Sequence, residues 1–75
     1  MARLRRLSGR ETVQALERLG FVAVRQRGSH LVMKKPTPDG TVGCVVPLHD
    51  ELAVGTLRGV LRQANVTVDD FLAAL

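Results

Sequence analysis

Three short β-prone segments, separated by two tight breaks, restrict the fold of this chain more than any other feature. Residues 21–26 and 31–35 are rich in apolar and β-branched side chains, and residues 27–29 between them have the composition of a turn. The second break, residues 36–40, consists of turn-forming residues, and residues 41–46 form the third β-prone segment. Three consecutive strands joined this closely predict an antiparallel meander.

Helical patterns lie on both sides of the three strands. Ser8 and Glu11 have the capping-box spacing, in which a hydroxyl and a carboxylate each bond a backbone N–H of the first turn. We expect a helix over residues 9–19, ended by Gly20 because glycine tolerates a positive φ. A second helix is predicted by apolar residues at positions i, i+3, i+4 and i+7, namely Leu57, Val60, Leu61 and Ala64.

The second helix has Gly55 and Thr56 as candidate N-caps, and a short final helix is expected to begin after Thr67. Thr67 and Asp70 repeat the capping-box spacing less cleanly, because Asp stands in for Glu. The order α-β-β-β-α with a small helical tail predicts one α+β domain over residues 1–75. In such a domain the helices pack on one face of a three-stranded sheet and the other face is open.

Strand alternation predicts which side chains lie on the open face. Leu31 and Met33 share one side of the second strand, and we assign that side to the core. His30, Val32 and Lys34 therefore point the opposite way. We expect His30 to be exposed among cations.

Basic residues are concentrated in the first half of the chain. The net charge is +4, but residues 1–36 carry nine Arg or Lys residues against two Glu, a net of +7, whereas the remainder has a net of −3. This asymmetry indicates a polyanionic partner. Charge alone is equally compatible with a solvated surface.

Cys44 is the only cysteine, which excludes a disulfide-stapled secreted fold and favours a reducing cytoplasm. Its apolar neighbours in the sequence favour a buried filler over a nucleophile. The chain has no apolar stretch of signal-peptide length and no run near the roughly 20 apolar residues of a membrane span. We therefore expect a soluble cytoplasmic protein without a targeting segment.

The hairpin between the first two strands concentrates hydrogen-bond donors around one titratable base. Arg and Lys can neutralise phosphates, Gly28 allows close approach of the backbone, and a histidine such as His30 can transfer protons near neutral pH. The N–H groups at the start of the second helix suit a phosphate, although a plain helix cap explains them equally well. The candidate residues for RNA contact beside His30 are Arg25, Arg27, Gly28, Ser29, Lys34, His49, Gly55, Thr56 and Arg58.

Motifs along the chain occur in an order that resembles the HicA mRNA interferase family. Gly28-Ser29-His30 opens the second strand, and Pro47 and His49 follow the third. Gly55-Thr56-Leu57-Arg58 then leads into Leu61-Arg62-Gln63-Ala64, and Asp70-Phe71-Leu72 lies near the end. No single motif is diagnostic, but their order and spacing together cover residues 6–75.

This resemblance implies a fold like the double-stranded RNA-binding domain, a ribonuclease activity without a metal or other cofactor, and a cognate HicB antitoxin. It implies that His30 is the catalytic histidine, and it includes His49 without a clear role. The chain departs from the family in having Ala53-Val54 where lysines are common. Its scarcity of aromatic residues argues against base stacking as the source of affinity.

Three functions are compatible with the sequence. The first is an endoribonuclease in which a 2′-hydroxyl attacks the adjacent phosphorus, with His30 as base or acid. In that reaction Lys34 with Arg25 or Arg27 stabilises the phosphoryl charge. The second is a non-catalytic RNA-binding module, and the third is a domain that docks an acidic partner. For His49, a structural or substrate-positioning role competes with direct proton transfer.

Overall fold

The computed structural model describes residues 3–75, so Met1 and Ala2 of the expected 1–75 domain lie outside the described residues. The elements are, in chain order, α1 (Gly9–Arg18), β1 (Val22–Arg27), β2 (His30–Thr37), β3 (Gly40–Pro47), α2 (Val54–Ala64) and α3 (Val68–Ala73). The strands form an antiparallel sheet in the order β1-β2-β3. These findings confirm the meander and the α+β arrangement of the double-stranded RNA-binding domain, with a short C-terminal helix.

The capping box predicted at the start of α1 is present in both directions. The Ser8 hydroxyl accepts a hydrogen bond from the Glu11 N–H at 3.0 Å, and the Glu11 carboxylate accepts one from the Ser8 N–H at 3.0 Å. The bond from the Ser8 backbone holds the pKa of Glu11 below its ordinary value. At the other end, Gly20 has a φ of +99° where the chain leaves the helix, as predicted.

β2 and β3 are longer than predicted, because each turn is shorter, whereas β1 keeps its predicted length and is shifted by one residue. The first turn consists of residues 28 and 29, and the second of residues 38 and 39. Pro36, expected in the second turn, instead pairs with Thr41 inside the sheet. A proline fits there because β1 pairs with β2 only as far as Lys34, which leaves β2 with a single neighbour at Pro36.

α2 begins earlier than predicted, and the assignment of Gly55 and Thr56 as its N-caps is wrong. The N-cap is Ala53, whose carbonyl accepts a hydrogen bond from the Leu57 N–H at 3.0 Å, so both residues lie inside the first turn. The early start follows from Leu52, whose N–H donates to a carbonyl of the N-terminal segment at 2.7 Å and fixes the chain just before the helix. No side chain from the described part of the chain caps this end of α2.

The final helix begins where the Thr67 pattern predicts. The Thr67 hydroxyl accepts a hydrogen bond from the Asp70 N–H at 3.1 Å, which is one half of a capping box. Between α2 and α3, Asn65 adopts the left-handed conformation with a φ of 57° and ends α2. The chain thereby turns back, and Phe71 of α3 becomes fully buried.

The helices pack on one face of the sheet. Leu31 and Met33 lie on that side of β2, whereas His30 and Lys34 are exposed on the other, so the predicted sidedness of β2 is confirmed. We call the uncovered side, which carries His30, Val32 and Lys34 of β2, the open face. The buried core consists of Leu7, Ala15, Leu16, Phe21, Met33, Cys44, Val46, Leu52, Leu57, Val60, Leu61, Ala64 and Phe71.

Cys44 is part of this core. Burial raises the pKa of its thiol to about 11, because an apolar environment disfavours the thiolate. The thiol is therefore protonated at neutral pH and cannot act as a nucleophile. The prediction that Cys44 is a buried filler is confirmed.

The two edges of the sheet differ. At the β3 edge, the backbone N–H of Val45 donates to the side-chain oxygen of Gln63 in α2 at 3.0 Å. At the other edge every residue of β1 is exposed, and Val22 and Val24 are 57% and 51% exposed. The β1 edge is thus open to solvent next to the open face.

Candidate functional site

The open face carries basic side chains around His30. Residues paired across an antiparallel sheet point to the same face, and the register pairs His30 with Arg27 on one side and with Pro47 on the other. Arg25 lies farther along the same face, and so does Lys34. Arg25, Arg27, His30 and Lys34 are all exposed. The fold therefore brings together four of the residues that the sequence singled out.

A β-bulge at Val24 puts both arginines on the open face. Strict alternation from Ala23, which pairs with the core residue Met33, would turn Arg25 and Arg27 toward the core. The register instead shifts between Ala23 and Arg25, and the extra residue reverses the alternation. Strand alternation alone does not predict this bulge. Its signal is a change of phase in β1, where two alternate valines are followed at once by two alternate arginines.

The two histidines of the chain lie side by side. The ring centroids of His30 and His49 are 6.4 Å apart, with their planes inclined at 65°. Both side chains are exposed. His30 opens β2 directly after the turn at Gly28 and Ser29, where Gly28 has a φ of 57° and its carbonyl accepts a hydrogen bond from the Gln26 side chain at 2.9 Å.

Backbone hydrogen bonds hold the segment that carries His49. The Leu48 N–H donates to the Ser29 carbonyl at 2.6 Å, which joins this segment to the β1–β2 turn. The His49 carbonyl accepts a hydrogen bond from the Gly9 N–H at 2.9 Å, which joins it to the start of α1. Both histidines are therefore carried by one connected backbone unit.

Gly9 is a positioning residue that the sequence analysis missed. A Cβ at this position would lie 2.7 Å from the Leu48 Cα and even closer to the Pro47 carbonyl oxygen. Only glycine lets α1 approach the backbone before His49 so closely. The available signal was a glycine in the first turn of a helix, where most other residues have a higher helix propensity.

The remaining candidates lie on other parts of the molecule. Gly55 and Thr56 are exposed in the first turn of α2, which contains no acidic residue and no side-chain cap. Arg58 is exposed on α2 and borders a shallow depression together with Val66 and Thr67. No side-chain hydrogen bond or ion pair joins Arg58 to either histidine in the described part of the chain.

Among the residues that the structure describes, the cations of the open face have no acidic partners. Within residues 3–75, the one side-chain ion pair joins Arg6 to Glu51 at 2.7 Å. Arg25, Arg27 and Lys34 consequently present their charge to solvent. A polyanion that approaches this face meets charges that no carboxylate has neutralised.

Two further findings concern metals and membranes. Among residues 3–75, no group of three or more His, Cys, Asp and Glu side chains is placed to hold a metal ion. In the same part of the chain, no helix has both the length and the apolar character that crossing a bilayer requires.

The fold and this face define a small basic domain of the double-stranded-RNA-binding-domain type, with two adjacent histidines among solvent-exposed cations. The chain belongs to the family described as the HicA toxin of bacterial toxin-antitoxin systems, whose family model matches residues 9–66. The match runs from α1 through α2 and includes both histidines, whereas α3 lies beyond it. No curated protein matches the chain. Family membership makes the protein a toxin and implies a cognate antitoxin.

Proposed function

We propose that the protein is an endoribonuclease of the mRNA interferase kind, which cleaves RNA without a metal ion or other cofactor. His30 serves as a general acid or base. The observation that carries this proposal is the placement of exposed His30 on the same sheet face as three cations, which have no carboxylate partners among residues 3–75. The HicA family agrees with it, since its members are known in general terms as mRNA interferases.

The chemistry needs only groups that the chain supplies. A base removes the proton of a ribose 2′-hydroxyl, whose oxygen then bonds to the adjacent phosphorus. The bond from phosphorus to the 5′-oxygen breaks, and an acid protonates that oxygen. The products end in a 2′,3′-cyclic phosphate and a 5′-hydroxyl. Arg25, Arg27 and Lys34 stabilise the charge that develops on the non-bridging phosphoryl oxygens.

Other candidate residues extend the RNA contact beyond the cleaved phosphate. Gly28 and Ser29 present turn backbone beside His30. Gly55 and Thr56 offer N–H groups at the positive end of the α2 dipole, where no side chain competes for them. Arg58 adds a cation farther along α2. Such contacts recognise the phosphates and the shape of the RNA rather than the identity of its bases.

Stacking contributes little in this proposal. The two aromatic residues, Phe21 and Phe71, are both buried in the core and cannot meet a base. Affinity for RNA must then come mainly from ionic contacts and from backbone donors. We therefore expect RNA binding to weaken steeply as salt concentration rises.

The partner in this proposal is a HicB-like antitoxin that covers the open face. An inhibitor that occupies this surface blocks His30 and its cations together and requires no change of shape in the toxin. We place the activity in the cytoplasm, where the mRNA substrate is found and where the single buried thiol of Cys44 stays reduced.

Incubation of the purified protein with end-labelled RNA in EDTA tests the function. We expect fragments with 2′,3′-cyclic phosphate ends, which distinguishes this reaction from metal-dependent hydrolysis. A shift of the RNA in a gel without cleavage would favour the non-catalytic RNA-binding module instead. If the protein neither cleaves nor binds the RNA, the remaining function is that of a domain that docks an acidic partner.

The variant His30→Ala tests the residue. Its cleavage rate should fall by about 10² to 10⁴, the usual contribution of general acid/base catalysis. The thermal midpoint should stay at the wild-type value, because the His30 side chain is exposed. A folded His30→Ala protein that cleaves at the wild-type rate, in a preparation free of contaminating ribonuclease, would remove His30 from the mechanism.

A further inference from the structure

We propose that His49 is a second catalytic residue, which divides the acid and base roles of the cleavage reaction with His30. The inference rests on the ribonuclease function proposed above and adds one proton-transfer group to it. Two observations support it. The two imidazoles lie close together, and the His49 side chain makes no hydrogen bond or ion pair with another residue of 3–75.

The reaction requires proton transfer at two different oxygens. The base acts at the 2′-oxygen, which forms a bond to phosphorus. The acid acts at the 5′-oxygen, whose bond to phosphorus breaks. In an in-line displacement these two oxygens lie on opposite sides of phosphorus, so a single fixed imidazole is poorly placed to serve both. A second imidazole near the first supplies the missing group.

The distance between the rings suits this division of roles. Their centroids are 6.4 Å apart and the planes are inclined at 65°. An acid or base acts across about 2.6–3.2 Å between heavy atoms. A phosphodiester held beside the two rings is therefore within reach of both. Both side chains are exposed, so a substrate can approach the two rings from solvent.

The His49 side chain has no structural task in the described chain. A structural histidine in this connection would bond backbone carbonyls with its ring. Here the segment is held instead by its own backbone, through the Gly9 N–H and the Leu48 N–H. The exposed imidazole makes no hydrogen bond or ion pair with another residue of 3–75.

The same backbone bonds fix the two histidines relative to each other. Ser29, which precedes His30, accepts the hydrogen bond that Leu48, which precedes His49, donates at 2.6 Å. Catalytic groups on a rigid support lose little entropy when the substrate binds. Arg27, opposite His30 in the sheet, places a cation at the same end of the face.

Replacement of the leaving-group oxygen by sulfur distinguishes the general acid from the general base. The substrate is an RNA oligonucleotide in which sulfur replaces the 5′-oxygen at the mapped cleavage position, beside the matched all-oxygen oligonucleotide. A thiolate leaves without a proton, so a protein that lacks the general acid regains activity on the sulfur substrate. A protein that lacks the base stays slow on both.

We expect His30→Ala and His49→Ala each to slow cleavage of the oxygen substrate by about 10² to 10⁴ at saturating RNA. The sulfur substrate should restore one of the two variants to near the wild-type rate and leave the other slow. The restored variant identifies the acid. His49→Gln, which keeps a polar side chain without a titratable ring, should behave as His49→Ala does and controls for local packing.

Four results would overturn the assignment of His49 as a catalytic residue. One is wild-type cleavage of the oxygen RNA by a folded His49→Ala protein. Another is that both alanine variants cleave the oxygen and the sulfur substrates equally slowly. A further one is that the sulfur substrate restores the cleavage rate of both variants equally. A loss that disappears when the RNA concentration is raised would likewise limit His49 to binding. If the wild-type protein itself fails to cleave RNA, the proposed function fails, and the inference fails with it.

Discussion

Adjacent lysines on opposite faces of β2 show how a single residue acquires its role. Lys34 lies on the open face, opposite Val22 in the sheet register. Lys35 points to the other side, where its Nζ lies 5.8 Å from the centroid of the Phe21 ring. The two side chains have the same charge and chemistry, and only strand alternation separates them.

Lys34→Ala should therefore weaken RNA binding, and Lys35→Ala should not. Loss of a phosphate contact lowers affinity for all sequences and reduces the slope of log K against log salt by about 1. Titration of a labelled RNA at several salt concentrations measures both quantities. Lys35→Ala is the matched control, and an equal loss in the two variants would mean that net charge, rather than the open face, governs binding.

Among the elements, local signals predicted the helices better than they predicted the details of the sheet. The capping box at Ser8 and the apolar stripe of α2 depend on residues a few positions apart, so the sequence alone contains them. The bulge at Val24 depends on pairing between β1 and β2, so the change of phase in the β1 sequence indicates a bulge only when the two strands are considered together. The start of α2 likewise depends on a bridge from Leu52 to the N-terminal segment.

The same distinction between local patterns and long-range pairing applies to the candidate site. A motif identified His30, and alternation placed it correctly on the exposed side of β2. Its closeness to His49 could not be inferred, because it results from the fold bringing the end of β3 beside the β1–β2 turn. The N-cap assignment of Gly55 and Thr56 failed because a residue with no capping side chain, Ala53, occupies that position.

A buried and an exposed position of the sheet should respond differently to the same substitution. Val46 is fully buried in β3, whereas Val24 is 51% exposed at the bulge of β1. Val46→Thr buries a hydroxyl in the core and should cost about 1–3 kcal/mol. Val24→Thr changes an exposed side chain and should stay within about 0.5 kcal/mol.

Thermal unfolding measures this difference, since 1 kcal/mol shifts the midpoint of a domain of this size by roughly 4–8 °C. We expect a clear decrease for Val46→Thr and almost none for Val24→Thr. Equal midpoints for the two variants would contradict the assignment of the core face.

The start of α1 should contribute a pH-dependent part of the stability. The pKa of Glu11 is lowered in the folded protein, mainly by the hydrogen bond from the Ser8 backbone. The ionised carboxylate therefore stabilises the fold above the ordinary pKa of the residue, and this contribution disappears as the pH falls through the lowered value. Between neutral pH and pH 3, the midpoint of wild type should fall relative to Glu11→Gln. A constant difference between the two proteins over this range would contradict the capping role.

At the scale of the whole molecule, the charges of the toxin are segregated. Residues 1–36 carry a net of +7, and Arg25, Arg27 and Lys34 bring part of that charge to the open face beside His30. An acidic antitoxin should be drawn to this face, and its association should slow as salt is added. The helices cover the opposite face of the sheet, where the core residues lie.

The antitoxin complex should shield the open face and leave the rest of the toxin accessible. Chemical labelling of histidine and lysine side chains, read by mass spectrometry, measures this in the free toxin and in the complex. We expect His30 and Lys34 to be protected in the complex, because a partner that blocks cleavage sterically must cover the groups that contact RNA. Lys35 is the internal control, since it points to the helix side of the same strand and should label equally in both states. Unchanged labelling of His30 in a complex that still inhibits cleavage would show that the antitoxin acts from another surface.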